Sequence, residues 1–168
     1  MKYLIFLLFA LSVGVFPQKK VSEKSPYDFD LKVNHLVREQ FYSLSAIYQI
    51  WGSFTLEPEY GYVYYHRFSL SIGYRFNQIN YTPFIIAGAI YQRENFTKNT
   101  HYDESYLKLG VGLETELSHN FFFNFETSLL NYLSINYSMR KIKYRENYDF
   151  GESFDYTVSV GIGYRFHF

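Results

Sequence analysis

Residues 157–168 read Thr-Val-Ser-Val-Gly-Ile-Gly-Tyr-Arg-Phe-His-Phe, and they decide the fold. Val158, Val160, Ile162, Tyr164, Phe166 and Phe168 fall on one side, with Ser159, Gly161, Gly163, Arg165 and His167 on the other. A period of two is the signature of a strand. The polar side is the informative one, because it mixes glycines with a full charge. A face turned to water has little need of glycine. The inside of a narrow barrel needs small residues where large neighbours crowd it, and polar ones because its outside is the apolar face.

The same alternation recurs upstream. Segment 106–117 sets Leu107, Leu109, Val111, Leu113 and Leu117 against Lys108, Gly110, Gly112, Glu114 and Glu116. Segment 67–76 sets Phe68, Leu70, Ile72, Tyr74 and Phe76 against Arg67, Ser69, Ser71, Gly73 and Arg75. Segments 120–132 and 53–64 follow suit, the first with Phe121, Phe123, Phe125 and Leu129 against Asn124, Glu126 and Ser128. Segment 82–94 is apolar on both faces and gives no orientation. The strands have the roughly 9–11 residues that a tilted bilayer crossing needs. A soluble secreted β-sandwich also alternates and is the competing reading.

Composition narrows the choice. The chain has 168 residues, 16 Lys+Arg and 16 Asp+Glu, so its formal net charge is zero. That balance argues against a nucleic-acid partner, which calls for a basic excess. The absence of cysteine excludes disulfides, thiol nucleophiles and Cys-ligated zinc. Mean hydropathy is only −0.21, yet Tyr and Phe number 19 and 18. The chain is thus too aromatic for disorder and lacks the long apolar runs of membrane helices.

The first residues read as an address. Met1-Lys2, the apolar run Tyr3–Leu11 and the small-residue exit Ser12-Val13-Gly14 have the order of a secretory signal peptide. It spans 1–14, with a possible later cut near residue 18, and is followed by a polar lead-in over 15–27. The barrel proper is expected over 28–168.

Loop lengths supply the topology. Running the last strand down to the periplasm sends 120–132 up, 104–117 down, 82–94 up, 67–76 down and 53–64 up. Short links near 77–81 and 118–120 then fall inside, and long ones at 95–103 and 133–153 fall outside, as membrane barrels prefer. Strands 29–37 and 41–51 complete eight. Val37, Phe41, Leu44, Tyr48 and Trp51 also fit a helical spacing, but a helix there leaves six strands, too few for such a barrel. Residues 134–148 offer another strand through Ile135, Tyr137 and Met139. The expectation is an all-β, eight-stranded, antiparallel up-and-down transmembrane β-barrel with short periplasmic turns and longer extracellular loops.

Ile-Gly-Tyr-Arg-Phe occurs at 72–76 and at 162–166, both on downward strands. Phe168, preceded at every second place by Phe166, Tyr164 and Ile162, resembles the terminal-strand signal of Gram-negative outer-membrane proteins. That resemblance implies recognition by the barrel-assembly machinery. Gly110–Leu113 with the Ser118–Asn120 turn and Phe121–Leu130, and Trp51–Leu56 with Glu59-Tyr60, are similar to hairpins of small outer-membrane β-barrel proteins of Bacteroidetes-type bacteria. The likeness covers most of 42–168 and implies a fold and a place, not an activity.

Site expectations follow from the faces. The interior polar network is expected to hold Lys32, Glu57, Glu59, Arg67, Arg75, Lys108, Glu114, Glu116, Glu126 and Arg165. These are five acids and five bases, a balance that buried charge requires. Tyr60, Tyr62, Tyr64, Tyr74, Phe76, Tyr164, Phe166 and Phe168 are expected to face lipid as aromatic girdles. Other aromatics, such as Phe122, fall on inner faces or loops. Arg140, Lys141, Lys143 and Arg145, with Ile142 and Tyr144 between them, fit contact with phosphorylated lipid heads. They equally fit a solvated strand extension with charges offset by Glu146, Asp149, Glu152 and Asp155. His101, Asp103, Glu104 and Ser105 are placed in an outer loop, with His101 and Ser105 the candidates for a lipid A-modifying enzyme. No Gly-x-Ser-x-Gly or His-Glu-x-x-His motif occurs, and no catalytic, metal or cofactor site is expected. A narrow ion path is the alternative to a closed interior. The expected partner is outer-membrane lipid, and the expected state a monomer.

Overall fold

The computed structural model describes residues 29–62, 65–76, 81–97, 100–118, 120–139, 142–147 and 153–166. The proposed signal peptide and lead-in, and Tyr64, Arg140, Lys141 and Phe168, lie outside the described residues. Nine strands form one sheet: β1 (Phe29–Leu36), β2 (Phe41–Trp51), β3 (Phe54–Tyr62), β4 (Tyr65–Arg75), β5 (Tyr81–Thr97), β6 (Thr100–Glu116), β7 (Phe121–Met139), β8 (Ile142–Asn147) and β9 (Phe154–Phe166). Each pairs antiparallel with its sequence neighbour from β1 to β7. β9 then joins β7 to β1 and closes the ring. The barrel therefore has eight staves. β8 pairs only with the far end of β7, Ser134–Met139, above the part of β7 that β9 covers.

The N-terminal pair is two strands and not a helix. β1 pairs with β2 along its whole length, from Phe29–Tyr48 to Leu36–Phe41, so the hydrogen bonds of β1 go to β2 on one side and β9 on the other. The tight turn between them is made possible by Gln40 in the left-handed region, at φ 53°. Arg38 in that turn bonds the Asp155 carboxylate and the Tyr156 carbonyl, tying the turn to β9 across the seam.

The register fixes the shape. From Phe29 it leads through Tyr48, Leu56, Ile72, Ala87, Leu109 and Leu129 to Tyr156. Tyr156 lies three residues beyond the Leu36–Ser159 pair and so stands level with residue 39, ten residues along from the start. For eight staves that stagger corresponds to a strand tilt of about 40° and a lumen that side chains can fill.

Two expectations about loops are corrected. Residues 95–103 are mostly strand, since β5 and β6 stay paired out to Thr97–Thr100. Within 133–153, β7 runs on to Met139 and β8 pairs back onto it. Both segments are polar on alternate and intervening positions, so they show no amphipathic signal, yet backbone pairing continues past the point where one face turns apolar. Segment 82–94 is oriented too. Phe84, Ile86 and Ile90 are buried in the lumen, and Pro83, Ile85, Ala87, Ala89 and Tyr91 take the opposite side.

Candidate functional site: a filled lumen inside an apolar belt

The distribution of residues is inverted relative to a water-soluble domain. Among the described residues, 27 large hydrophobic side chains are exposed and 9 hydrophobic ones are buried, whereas 22 polar or charged residues are buried. Outward positions carry no charge over a wide band. On β5 they are Tyr81, Pro83, Ile85, Ala87, Ala89 and Tyr91; on β6 they are Ser105, Leu107, Leu109, Val111, Leu113 and Thr115. Ten residue steps at ~3.3 Å and a tilt of about 40° make the band about 25 Å tall, the height of the apolar zone of a membrane barrel. Water-soluble monomers do not leave an apolar surface of this extent uncovered.

Aromatic rings edge the band. At one end Tyr48, Phe29, Phe166, Tyr164 and Phe121 touch in series, with ring centroids 4.8–5.6 Å apart. Trp51, Phe54, Tyr74 and Phe76 form a second series there. At the other end Tyr60 packs on Phe68 and His66, and Tyr62 on His66. Tyr60 and Tyr62 are exposed, while Tyr74, Phe76, Tyr164 and Phe166 are half-buried by these contacts.

The lumen is filled by ion pairs and rings. Near the end where β9 finishes, the Arg165 guanidinium donates to both oxygens of Asp30 at 3.0 Å and to Glu114 at 2.6 Å. It also reaches Glu116 at 3.4 Å. Arg75 completes the cluster, 3.0 Å from Glu114 and 3.4 Å from Asp30. Midway, Lys32 pairs with Glu57 and Lys108 with Glu126, each at 2.6 Å. Ser128 donates to Glu126 at 2.7 Å. Toward the other mouth Ser43 donates to Glu59, Tyr106 to Glu104, and Gln92 to Glu104 at 3.1 Å. Arg67 lies 3.7 Å from Glu39, above the Phe41 ring.

Of the ten proposed interior residues, Lys32, Glu57, Glu59, Arg67, Lys108, Glu114, Glu126 and Arg165 are buried. The Arg75 side chain is 13% exposed, and that of Glu116, at the rim, is 50% exposed. Asp30 and Glu104 were missed. Asp30 shares the parity of Lys32 on β1, and Glu104 that of Lys108 on β6, so alternation was the signal available for both. With them the described acids buried on the lumen side are six (Asp30, Glu57, Glu59, Glu104, Glu114, Glu126), against the buried Lys32, Arg67, Lys108 and Arg165 and the slightly exposed Arg75, a slight acidic excess in place of the expected even balance; Asp103, also buried, lies on the other face of β6.

Apolar side chains fill the space between the ion pairs. Phe84, Phe122 and Phe41 each lie over a lumen-facing glycine of a neighbouring stave: Gly112, Gly163 and Gly61. A Cβ built on any of the three would overlap the ring. Ile90, Tyr106, Leu130 and Tyr132 form an apolar layer toward the β8 end. Asn124 is buried beside Gly161, and neither atom of its amide bonds to another described residue. Asn124→Leu is therefore expected to be neutral or stabilising by up to about 1 kcal/mol, read from urea unfolding in micelles.

A packed lumen predicts a second result. Arg75→Ala leaves Glu114 and Asp30 with Arg165 alone, so it is expected to lower stability by about 1–3 kcal/mol. Phe84, Phe122 and the rest of the filling remain, so planar-bilayer recordings of the variant are expected to show no stable current. A steady channel in either Arg75→Ala or the wild type contradicts a closed lumen.

The His101 group is not in a loop. His101, Asp103 and Ser105 lie on one face of β6 and Glu104 on the other. His101 Nε2 is 3.8 Å from Asp103 Oδ2, and Asp103 is clamped by Arg93 at 2.7 and 2.9 Å. Four strand steps put His101 and Ser105 about 13 Å apart along the backbone, beyond hydrogen-bond reach. Lys143 and Arg145 stand on β8, in register with Ser138 and Asn136.

No family model matches the sequence, and no curated protein matches it. The chain is similar to the N-terminal β-barrel domain of Pseudomonas aeruginosa OprF, at 19% identity and a TM-score of 0.56, over 83% of this chain and 96% of that one. It is also similar to a de novo designed transmembrane β-barrel, at 16% identity and a TM-score of 0.53, over 87% and 100% of the two chains. The designed barrel TMB2.3 gives 18% identity and 0.52, over 87% and 99%. At these identities the likeness is one of fold: a closed, all-antiparallel, eight-stave β-barrel.

Proposed function

We propose that the chain is an integral outer-membrane protein of a Gram-negative bacterium, with no catalytic activity and a sealed, salt-bridged lumen. It serves the cell envelope structurally or through the strands that project beyond the apolar belt. The observation that carries this reading is the inverted distribution of residues: an uncharged band about 25 Å tall outside, and paired charges inside. The secretory segment over 1–14 supplies export. The separation of His101 from Ser105 supports a role without chemistry.

Expression in a Gram-negative host tests it. The protein is expected in the outer-membrane fraction, with a folded band whose mobility shifts on heating in SDS. The lipid A mass spectrum of the same cells is expected to match that of cells lacking the gene. Recovery as soluble protein points instead to a secreted β-domain, and an altered lipid A profile to a lipid-modifying enzyme.

A further inference from the structure

The barrel wall is uneven. β5, β6 and β7 run to 17, 17 and 19 residues, against 8, 11, 9 and 11 for β1 to β4. With β8 they form a four-strand lip above the apolar belt, and the β1–β2 turn ends on the low side of the rim. The β1–β2 hairpin is held differently along its height. Its lower half carries buried ion pairs, Asp30 with Arg165 and Lys32 with Glu57. Just above them the β2–β3 ladder lapses: Ser45 pairs with Glu59 and Tyr48 with Leu56, but Ala46 and Ile47 have no partner on β3. Pro58, which has no N–H, stands opposite this lapse.

The upper half is tied mainly at the rim. Arg38, 45% exposed, bonds the Asp155 carboxylate and the Tyr156 carbonyl and lies 4.8 Å from the Tyr156 ring centroid. Glu39 accepts a bond from Thr157 at 3.2 Å and lies 3.7 Å from Arg67. Two buried atoms of this half, Asn34 Oδ1 and His35 Nδ1, bond no described residue. The half is coherent in itself, since β1 and β2 pair up to the turn and Asn34 donates to Ser45 at 3.2 Å. It also carries Phe41, 1% exposed, which fills the upper mouth. That ring lies over Gly61, beneath Arg67, and edge-on to Tyr65 at 5.4 Å.

We propose that the upper half of the β1–β2 hairpin, residues 34–45, is a lid over the upper mouth, hinged at the Leu31–Ala46 row and latched by Arg38 and Glu39. Lifting it withdraws Phe41 and opens a cup with Glu59, Arg67 and Ser69 in its wall. The freed backbone groups lie next to the rim, where water can take them. The Arg165 cluster, Phe84 and Phe122 stay in place below, so the cup does not become a pore. Movable lids are drawn from the least stable parts of a fold, and a segment with exposed ties and unsatisfied buried atoms is such a part.

Single cysteines test this. Ser69→Cys reports from the wall of the cup and Ser128→Cys from β7 across the lumen, at positions 5% and 2% exposed. Each is made with the latch intact and with Arg38→Gln/Glu39→Gln, refolded in micelles and checked for heat-modifiable mobility. Labelling by a small water-soluble methanethiosulfonate is then timed. Loss of the latch is expected to speed labelling of Ser69→Cys about tenfold, while Ser128→Cys stays unlabelled over the same period. Equal rates at Ser69→Cys with and without the latch overturn the proposal. Labelling of Ser128→Cys as fast as Ser69→Cys also overturns it, because the whole barrel would then be loosening.

Discussion

Arg165→Ala is expected to cost about 3–5 kcal/mol, the scale for removing one partner from a buried ion pair. The Arg165 guanidinium makes two bonds to Asp30 and one to Glu114, all at 3.0 Å or less, and a longer one to Glu116. It also covers the Phe122 ring at 5.3 Å. Without it, Asp30 and Glu114 share Arg75 alone. Arg165→Lys restores the charge but not the fork that spans both oxygens of Asp30, so it is expected to recover only part of the loss. Asp30→Asn in the Arg165→Ala background removes the stranded charge, leaves Glu114 paired with Arg75, and is expected to recover at least half. Urea unfolding in micelles, followed by heat-modifiable mobility, measures all three. No recovery in the Arg165→Ala/Asp30→Asn variant would locate the loss in packing and not in charge.

Gly163→Val is expected to rank next, at about 3 kcal/mol, the upper part of the overpacking range. The new side chain would occupy the space of the Phe122 ring, which is 1% exposed. Neither neighbour can retreat, because Gly163 is in register with Lys32 on β1 and with Phe122 on β7. Phe122→Ala leaves a cavity and is itself expected to cost about 3 kcal/mol or more. The pair Gly163→Val/Phe122→Ala is expected to cost well under the sum, a coupling that a double-mutant cycle reads directly. A methyl group at Gly52 supplies the contrast. Nothing lies within 4 Å of it, so Gly52→Ala meets only the backbone cost of φ 54°.

The order of the staves was legible because most strands are apolar on one face only. Val158 to Phe166 and Leu107 to Leu113 name their own outward sides. β5 withheld its orientation because Phe84, Ile86 and Ile90 fill the lumen while the opposite face meets the apolar belt, so both faces are apolar. The lip read as loop because above the belt neither face needs to be apolar, and alternation disappears while the ladder goes on. The bulge beside Ser105 and Tyr106 adds to this. Tyr106 pairs with Tyr132 but Ser105 with Ser134, so Leu133 is the extra residue and the parity of β7 changes there. A reading that carries one parity through that point puts every later residue of β7 on the wrong face. Asp30 shows a different limit. Its parity was readable, but that it sits between Arg75 and Arg165 depends on the stagger of three staves that sequence spacing does not give.

The central claim is that the uncharged band meets lipid while the charged residues turn inward. The chain has no cysteine, so a single introduced one can be labelled alone. Leu109→Cys, carrying an environment-sensitive fluorophore, is the direct probe, because Leu109 is 63% exposed in the middle of the outward band. In refolded vesicles its emission is expected to be quenched by bromine-labelled acyl chains and left unchanged by aqueous iodide. Quenching by iodide with no effect of brominated lipid would place Leu109 in water and contradict the account.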